Sequence, residues 1–261
     1  MSEELSRLVS LVEKLRRECP WDREQTPETL RTYLLEECHE VLDAIDAQDP
    51  ESLAGELGDL LFQILFLSRI GEERGWFDIG SVAERIRRKM TERHPHVFGG
   101  PTAADAAEVK QGWERRKQQA SGAADPLGTI PRSLPALASA YRMTSRASDL
   151  GFDWERDADV AAKIEEELAE WRAAFAAGDR SAEEHEIGDL LFSIVNLARR
   201  RGVDPESALR KTQGRFRKRF ARVADRARES GRAVGDVGAA ELDSYWEDAK
   251  TEERGSPPGE G

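Results

Sequence analysis

Apolar side chains recur every three or four positions along almost the whole chain, the spacing of amphipathic helices, and no segment alternates convincingly over the length of a strand. The pattern therefore predicts an all-α protein. Proline at the first helical position marks two of the helix starts, after Thr26 and after Asp49. The predicted helices cover residues 3–18, 27–47, 50–73, 79–93, 103–119, 135–149, 157–177, 181–201, 205–230 and 239–252.

These helices form two similar sets on either side of a segment rich in glycine, proline and small residues, Gln118–Pro135. We therefore expect a tandem repeat of two helical-bundle domains. The expected parts are an N-terminal domain over 1–120, a linker over 121–135, a C-terminal domain over 136–252 and a disordered tail over 253–261.

One acidic motif occurs in both halves, about 130 residues apart. Each copy has a pair of glutamates, a glutamate three residues later and, after a gap of fifteen residues, Glu-x-x-Asp followed by Leu-Leu-Phe. The copies are Glu36, Glu37, Glu40, Glu56 and Asp59, and then Glu166, Glu167, Glu170, Glu186 and Asp189. A single match could arise by chance in so acidic a chain, but a second match in the same register could not be dismissed in that way.

The spacing of these acids predicts a metal site. Glu37 and Glu40 share one face of a helix, and Glu56 and Asp59 share a face of the next helix. The turn between the helices is short, so they should be antiparallel neighbours with converging carboxylates. Such a cluster repels itself unless some members protonate or a hard divalent cation binds, as Mg²⁺ would. The alternative, a solvated acidic face, does not suit helices that are so rich in apolar residues.

A di-iron centre is a competing possibility, since Glu36-x-x-His39 matches a ligand element that such centres need twice. The second half has Ala169 at the position of His39, which argues against it. His94 and His96 stand where a helix should end, so a structural turn is favoured there over a pair of ligands.

The helices that carry the Gly-Asp-Leu-Leu-Phe sequence are apolar nearly all round, over 60–67 and 190–197. Such helices should be buried on most sides, and one small domain seldom surrounds a helix so fully. We therefore expect packing of the two halves on each other or dimerisation.

Cations and a tryptophan follow each acidic motif in the same order. Two cations four residues apart come first, and then a Trp and a Lys, again four apart: Lys89, Arg93, Trp113 and Lys117 in the first half, and Arg215, Arg219, Trp246 and Lys250 in the second. Cations that face a metal–carboxylate cluster suit a polyphosphate. The tryptophan either stacks on a base or belongs to the core.

Composition narrows the range of partners. The formal net charge of −12 disfavours general binding to nucleic acid, whose phosphates need a basic surface. Cys19 and Cys38 provide neither a disulfide framework nor a metal-binding CxxC pair. The N-terminus lacks the apolar segment of a signal peptide, and no apolar run is long enough to span a membrane. We expect a cytoplasmic protein without a membrane partner.

Taken together, the motifs resemble the MazG family of bacterial nucleoside triphosphate pyrophosphohydrolases. The resemblance covers nearly the whole chain and rests on the acidic motif and on the segments 93–98, 130–135 and 151–154. It implies an all-α homodimer that hydrolyses NTPs and dNTPs to the monophosphate and pyrophosphate with Mg²⁺, for which Mn²⁺ could substitute, and so removes non-standard or excess nucleotides. A base-specific dUTP or dCTP pyrophosphatase and a non-catalytic nucleotide-binding helical protein are the alternatives.

The resemblance also implies roles for individual residues, with the C-terminal domain as the main catalytic one. The metal-binding acids would be Glu167, Glu170, Glu186 and Asp189, with Glu37, Glu40, Glu56 and Asp59 as the N-terminal copy. Glu166 or Glu167 would act as general base. The residues that contact the nucleotide would be Arg215, Arg219, Trp246 and Lys250, with Lys89, Arg93, Trp113 and Lys117 as the N-terminal copy. His185 and Ala182 depart from the family pattern, where a Glu and a Lys can occur, which puts the substrate contacts in question but not the metal site.

One difference between the halves favours the second as the active one. Asn196 follows Asp189 by seven residues on the same helix face, whereas Phe66 takes that place after Asp59. An amide inside an apolar helix needs a polar partner. A nucleotide, a metal-bound water or a buried carbonyl could provide it.

Overall fold

The computed structural model describes residues 3–99, 105, 109, 112–113, 116 and 125–255. Most of the helix predicted over 103–119, Lys117, the first part of the predicted linker and residues 256–261 lie outside the described residues. The chain divides into two compact units, Met1–Ala120 and Ser121–Gly261.

The described residues form helices and turns and no strand, so the all-α prediction is confirmed for them. The first unit contains α1 (Glu3–Glu18), α2 (Pro20–Glu24), α3 (Pro27–Ala47), α4 (Pro50–Glu73) and α5 (Ile79–Arg93). The second contains α6 (Ala136–Asp149), α7 (Asp157–Ala177), α8 (Arg180–Arg200), α9 (Pro205–Glu229), a 3₁₀ turn (Val234–Asp236) and α10 (Ala239–Gly255). The short α2 was not predicted, and it forms where Pro20 starts a single helical turn directly after α1.

A helical hairpin is the element that the two units share. In the first unit, Gln48 adopts a left-handed conformation with φ of 57° and reverses the chain after α3. The Asp49 carboxylate then accepts hydrogen bonds from the Glu51 and Ser52 amides at 3.0 and 3.2 Å, which caps α4. The resulting packing of α3 on α4 agrees with the antiparallel arrangement that the short turn predicts.

The second unit builds the same hairpin from equivalent residues. Gly178, with φ of 70°, ends α7, and glycine suits this left-handed position because it has no Cβ. Asp179 caps α8 by accepting from the Ser181 and Ala182 amides, both at 3.1 Å. The two hairpins therefore place the two acidic motifs in the same register on facing helices.

The core of the first unit lies where α1 and α3 meet one side of α4. It contains Val12, Leu30, Leu65, Phe66 and Ile70, each at most 4% exposed. Burial of such side chains stabilises the fold by about 1.5–3 kcal/mol each. The buried apolar residues of the second unit are smaller, and they include Val160, Val195, Val223, Ala227 and Ala249.

Among the described residues of each unit, α4 and α8 are not buried on most sides. Each presents an exposed apolar stripe at the helical spacing i, i+4, i+7, formed by Leu57, Leu61 and Ile64 on α4 and by Ile187, Leu191 and Ile194 on α8. The described helices of each unit leave this side of α4 and α8 uncovered. None of the described helices combines the length and the hydropathy that a membrane crossing needs.

Candidate functional site

Each hairpin gathers carboxylates from its two helices into one group. Oxygens of Glu37, Glu56 and Asp59 lie within 4.8 Å of one another, and so do oxygens of the equivalent residues Glu167, Glu186 and Asp189. Glu40 and Glu170 lie beside these groups rather than within them. Both copies of the acidic motif therefore converge as their spacing predicts, with three carboxylates in each group and a fourth beside it.

In the first group, which we call the N-terminal carboxylate group (Glu37, Glu56 and Asp59), burial and neighbouring negative charges together raise carboxyl pKa values. Burial raises the pKa of Glu37, and the charges of Asp59 and Glu40 raise it further, while a 3.4 Å hydrogen bond from Gln63 Nε2 opposes the change. Burial and then the charges of Glu40 and Asp59 raise the pKa of Glu56. Like charges held this close make the charged form of each carboxyl less favourable.

The second group, the C-terminal carboxylate group (Glu167, Glu186 and Asp189), differs because a lysine reaches it. Lys163 Nζ donates to Glu166 at 2.8 Å and approaches Glu167 at 2.7 Å. The hydrogen bond between Lys163 and Glu167 lowers the pKa of Glu167 despite the opposing effect of burial. The pKa of Lys163 is raised in turn by its bonds to Glu166 and Glu167. At the fourth acid, Glu170, burial and the charges of Glu186 and Glu167 raise the pKa.

The donor sets of both groups fit a hard divalent cation. Each group offers three carboxylate oxygens from two rigid helices, and Mg²⁺ binds such oxygens while it keeps water or substrate in its remaining positions. In the first unit, the buried Gln63 Oε1 next to Glu37 has no hydrogen-bond partner among the described residues. An oxygen of this kind can accept from water in the shell of a bound cation.

The C-terminal carboxylate group opens onto a cleft of about 950 Å³. Lys163, Glu167, Asp189, Asn196 and Asp153 form its polar side. The rest of the lining is mainly apolar, and its larger side chains are Leu127, Met143, Leu150, Phe152, Trp154 and Phe192. The size and this combination of charged and apolar walls are typical of a site for a small organic ligand.

Asn196 lines this cleft together with Asp189, with which it was predicted to share a helix face. Its Oδ1 accepts hydrogen bonds from Arg199 at 3.0 and 2.8 Å, and Arg199 also donates to Asp153. The amide oxygen is therefore engaged, and the NH₂ group is what Asn196 can offer to a ligand. Phe66, the equivalent residue of the first unit, is 1% exposed in the core beside Val12.

The predicted phosphate-binding cations of the second unit do not line the cleft. They lie where α9 meets α10: Arg219 Nε donates to Glu253 at 2.6 Å, and its guanidinium stands 5.8 Å from the Trp246 ring centre. Lys250 donates to Glu247 at 2.8 Å, and Arg215 donates to Thr212 at 2.8 Å. The structure thus gathers these residues where α9 meets α10, and their role as phosphate contacts stays a prediction.

The first unit repeats the pairing of arginine with tryptophan. The Arg93 guanidinium lies 5.0 Å from the centre of the Trp113 ring, which also contacts His94. Lys89 is exposed on α5, and Lys117 lies outside the described residues. His94 ends α5 and its Nδ1 is 2.7 Å from the Met90 carbonyl oxygen, as expected of a structural turn.

Sequence reasoning missed two features of the site. Lys163 stands four residues before Glu167, the spacing of a helical ion pair, but such pairs are too common on acidic helices to attract attention. Phe152 and Trp154 belong to a segment noted only for its resemblance to a family, and no periodicity indicates that they face the acids.

Family models match both halves of the chain. The model of the MazG nucleotide pyrophosphohydrolase domain matches residues 25–98, which include the first acidic motif. The model of phosphoribosyl-ATP pyrophosphohydrolase matches residues 144–216, which include the second.

Two named relatives match along nearly their full length. The nucleoside triphosphate pyrophosphohydrolase/pyrophosphatase MazG of Thermotoga maritima is 44% identical over 93% of this chain and 94% of its own. The nucleoside triphosphate pyrophosphohydrolase of Escherichia coli K12 is 40% identical over 96% of this chain and 98% of its own. With this identity over almost the whole of both chains, and with both carboxylate groups in place, the protein belongs to the MazG family.

Proposed function

We propose that the protein is a nucleoside triphosphate pyrophosphohydrolase that cleaves NTPs and dNTPs between the α- and β-phosphates in the presence of Mg²⁺. The observation that carries this proposal is the C-terminal carboxylate group at the edge of a nucleotide-sized cleft. The names of the two relatives support the reaction. Its role in the cell would be the removal of non-standard or excess nucleotides.

Glu167, Glu186 and Asp189 would hold the cation, with Glu170 beside them, and Mn²⁺ could replace Mg²⁺ because it accepts the same oxygen ligands. When bound, the cation would neutralise charge on the phosphates and favour attack at phosphorus. The N-terminal carboxylate group, with Glu40 beside it, would hold a cation in the same way.

Within this arrangement, we assign the general base to Glu166 and a ligand role to Glu167. Glu167 is 4% exposed and belongs to the carboxylate group, whereas Glu166 is exposed and joined to it through Lys163. Glu166 would take a proton from the attacking water while the water oxygen bonds to the α-phosphorus. The bond from that phosphorus to the bridging oxygen breaks, and pyrophosphate leaves with this oxygen.

The cleft also suggests where the nucleobase lies. Phe152 is 84% exposed and Trp154 is 40% exposed, and both line the cleft that contains Glu167 and Asp189. A base stacked on these rings would be in the same cleft as the acids that face its phosphates. Arg215, Arg219 and Lys250 remain the predicted phosphate contacts, and Asn196 can donate to the substrate through its NH₂ group.

We also propose that the protein is a homodimer. The exposed stripes on α4 and α8 consist of large aliphatic side chains, with Leu57 at 50% and Leu191 at 49% exposure. Contiguous apolar surfaces of this kind mark interaction sites in soluble proteins. A symmetric assembly of two copies buries the same patches on both copies. The stripes at equivalent positions of the two units would be buried in such an assembly.

Asp189→Asn should reduce the release of pyrophosphate from nucleoside triphosphates by more than about a hundredfold, because it removes charge from the proposed catalytic cation site. The matched variant Asp59→Asn should reduce it by less than about threefold. The measurement is the steady-state rate of pyrophosphate release from a panel of canonical and damaged nucleotides with Mg²⁺. Activity on dUTP or dCTP alone would identify a base-specific enzyme. Full activity of Asp189→Asn would contradict the assignment of catalysis to the C-terminal site. Nucleotide binding without turnover in the unaltered protein would contradict the proposal that the protein is an enzyme.

Replacement of the two adjacent glutamates should have different effects. Glu166→Gln should lower kcat by about a hundredfold, the scale of a lost general base, with the Mg²⁺ concentration for half-maximal rate unchanged within about twofold. Glu167→Gln should raise that Mg²⁺ concentration at least about tenfold because a ligand is lost. The same Mg²⁺ dependence in both variants would show that the two roles are not divided in this way.

Phe152→Ala should raise KM for nucleoside triphosphates by about tenfold with little change in kcat, because loss of base stacking weakens binding by roughly 1–3 kcal/mol. Trp246→Ala is the informative comparison, since Trp246 was predicted from sequence to contact the nucleotide. An increase in KM for Trp246→Ala alone would place the base at the contact of α9 and α10.

Analytical ultracentrifugation should give a mass of twice the 29.2 kDa of the chain. Leu191→Glu should shift the equilibrium towards the monomer, because it buries a charge in the proposed interface. Glu184→Gln, on the same helix but outside the apolar stripe, serves as control. A monomer at micromolar concentration would refute the homodimer.

A further inference from the structure

The two carboxylate groups have the same acids but different neighbours. In the second unit, the cation Lys163 stands 2.7 Å from Glu167 and 2.8 Å from Glu166. In the first unit, the corresponding residue, four positions before Glu37, is Tyr33, whose ring packs edge-on against Trp21 at 5.8 Å. The hydrogen bond that Glu37 receives comes from the neutral amide of Gln63.

This difference changes the charges that surround a divalent cation when it binds to each group. At the N-terminal carboxylate group, the cation relieves the repulsion between acids that form no ion pair with a cation among the described residues. At the C-terminal carboxylate group, Lys163 already neutralises Glu167, so the cation must compete with a charge-assisted hydrogen bond and approach a like charge.

Lys163 also lies where a polyphosphate could draw its ammonium group away from Glu167. Its side chain is about one-third exposed and lines the cleft together with Glu167 and Asp189. A triphosphate in that cleft would offer oxygens to the ammonium group as the cation takes over Glu167. Tyr33 has no charge with which to make such an exchange.

We propose that Lys163 is a built-in counter-cation that holds the C-terminal carboxylate group in a state of low divalent-ion affinity until a polyphosphate arrives, while the N-terminal carboxylate group binds the ion without nucleotide. The inference rests on the proposed function only in taking both groups as cation sites. Lys163 is a positioning residue here, because it acts through Glu167 and then through the phosphates. The two halves of the chain would therefore differ in how they couple metal to substrate.

The test is titration of the full chain with Mn²⁺ alone, with free Mn²⁺ followed by electron paramagnetic resonance. Asp59→Asn leaves the C-terminal carboxylate group to be measured, and Asp189→Asn leaves the N-terminal one. We expect the Kd of the N-terminal group to be at least about tenfold lower, on the scale of one charge-assisted interaction. Adding Lys163→Met to Asp59→Asn should lower the Kd of the C-terminal group by about tenfold.

Two further variants separate this effect from a general change of charge or fold. Lys218→Met in the Asp59→Asn background removes the same charge from the exposed side of α9 and should leave the Kd unchanged within about twofold. Tyr33→Lys in the Asp189→Asn background places a lysine four residues before Glu37 and should raise the Kd of the N-terminal group by about tenfold. Circular dichroism checks that each variant remains folded.

Inorganic tripolyphosphate tests the release of Lys163. It should tighten Mn²⁺ binding to the C-terminal group more strongly when Lys163 is present than when it is methionine. Equal Kd values for the two groups, unchanged by Lys163→Met, would overturn the inference and leave the proposed hydrolysis intact. Absence of Mn²⁺ binding at both groups would overturn the inference together with the cation sites, and turnover assays would then show whether hydrolysis survives.

Discussion

Repulsion between carboxylates held at the contact of two antiparallel helices is the constraint on which the rest of this structure depends. The turns at Gln48 and Gly178 set the register of each hairpin, and the caps at Asp49 and Asp179 fix where its second helix begins. Oxygens of three acids are thereby brought within 4.8 Å of one another in each unit. Folding concentrates negative charge there, and the charge is relieved by a neighbouring donor, a proton or a cation.

The two units relieve this repulsion in different ways. The first has a neutral amide, Gln63, beside Glu37, and the pKa of that carboxyl is raised by burial and by its acidic neighbours. The second has the ammonium group of Lys163, which lowers the pKa of Glu167. The tyrosine of one repeat and the lysine at the equivalent position of the other therefore contribute to different electrostatic states of two groups that have the same ligands.

The residue seven positions beyond the aspartate has different surroundings in the two units. Phe66 fills the core of the first unit together with Val12 and Leu30. Asn196 instead lines a cleft in the second unit, where Arg199 fixes its amide oxygen. The C-terminal carboxylate group borders an open cleft where it can meet a ligand, and our proposal of catalysis in the C-terminal unit rests on this.

The sequence by itself determined the all-α class, nearly every helix boundary among the described residues, and the convergence of the two acidic motifs. These properties follow from local rules: the helical period, the caps, and the fact that residues three apart on a helix share a face. Tertiary structure alone decided that Lys163 reaches Glu167 and that Phe152 and Trp154 line the same cleft as Glu167 and Asp189. It also decided that Arg219 and Trp246 pair where α9 meets α10. Such contacts depend on how helices distant in sequence pack, and the residues involved carry no distinguishing pattern because lysines, arginines and aromatic side chains are equally at home on a solvated helix face or in a core.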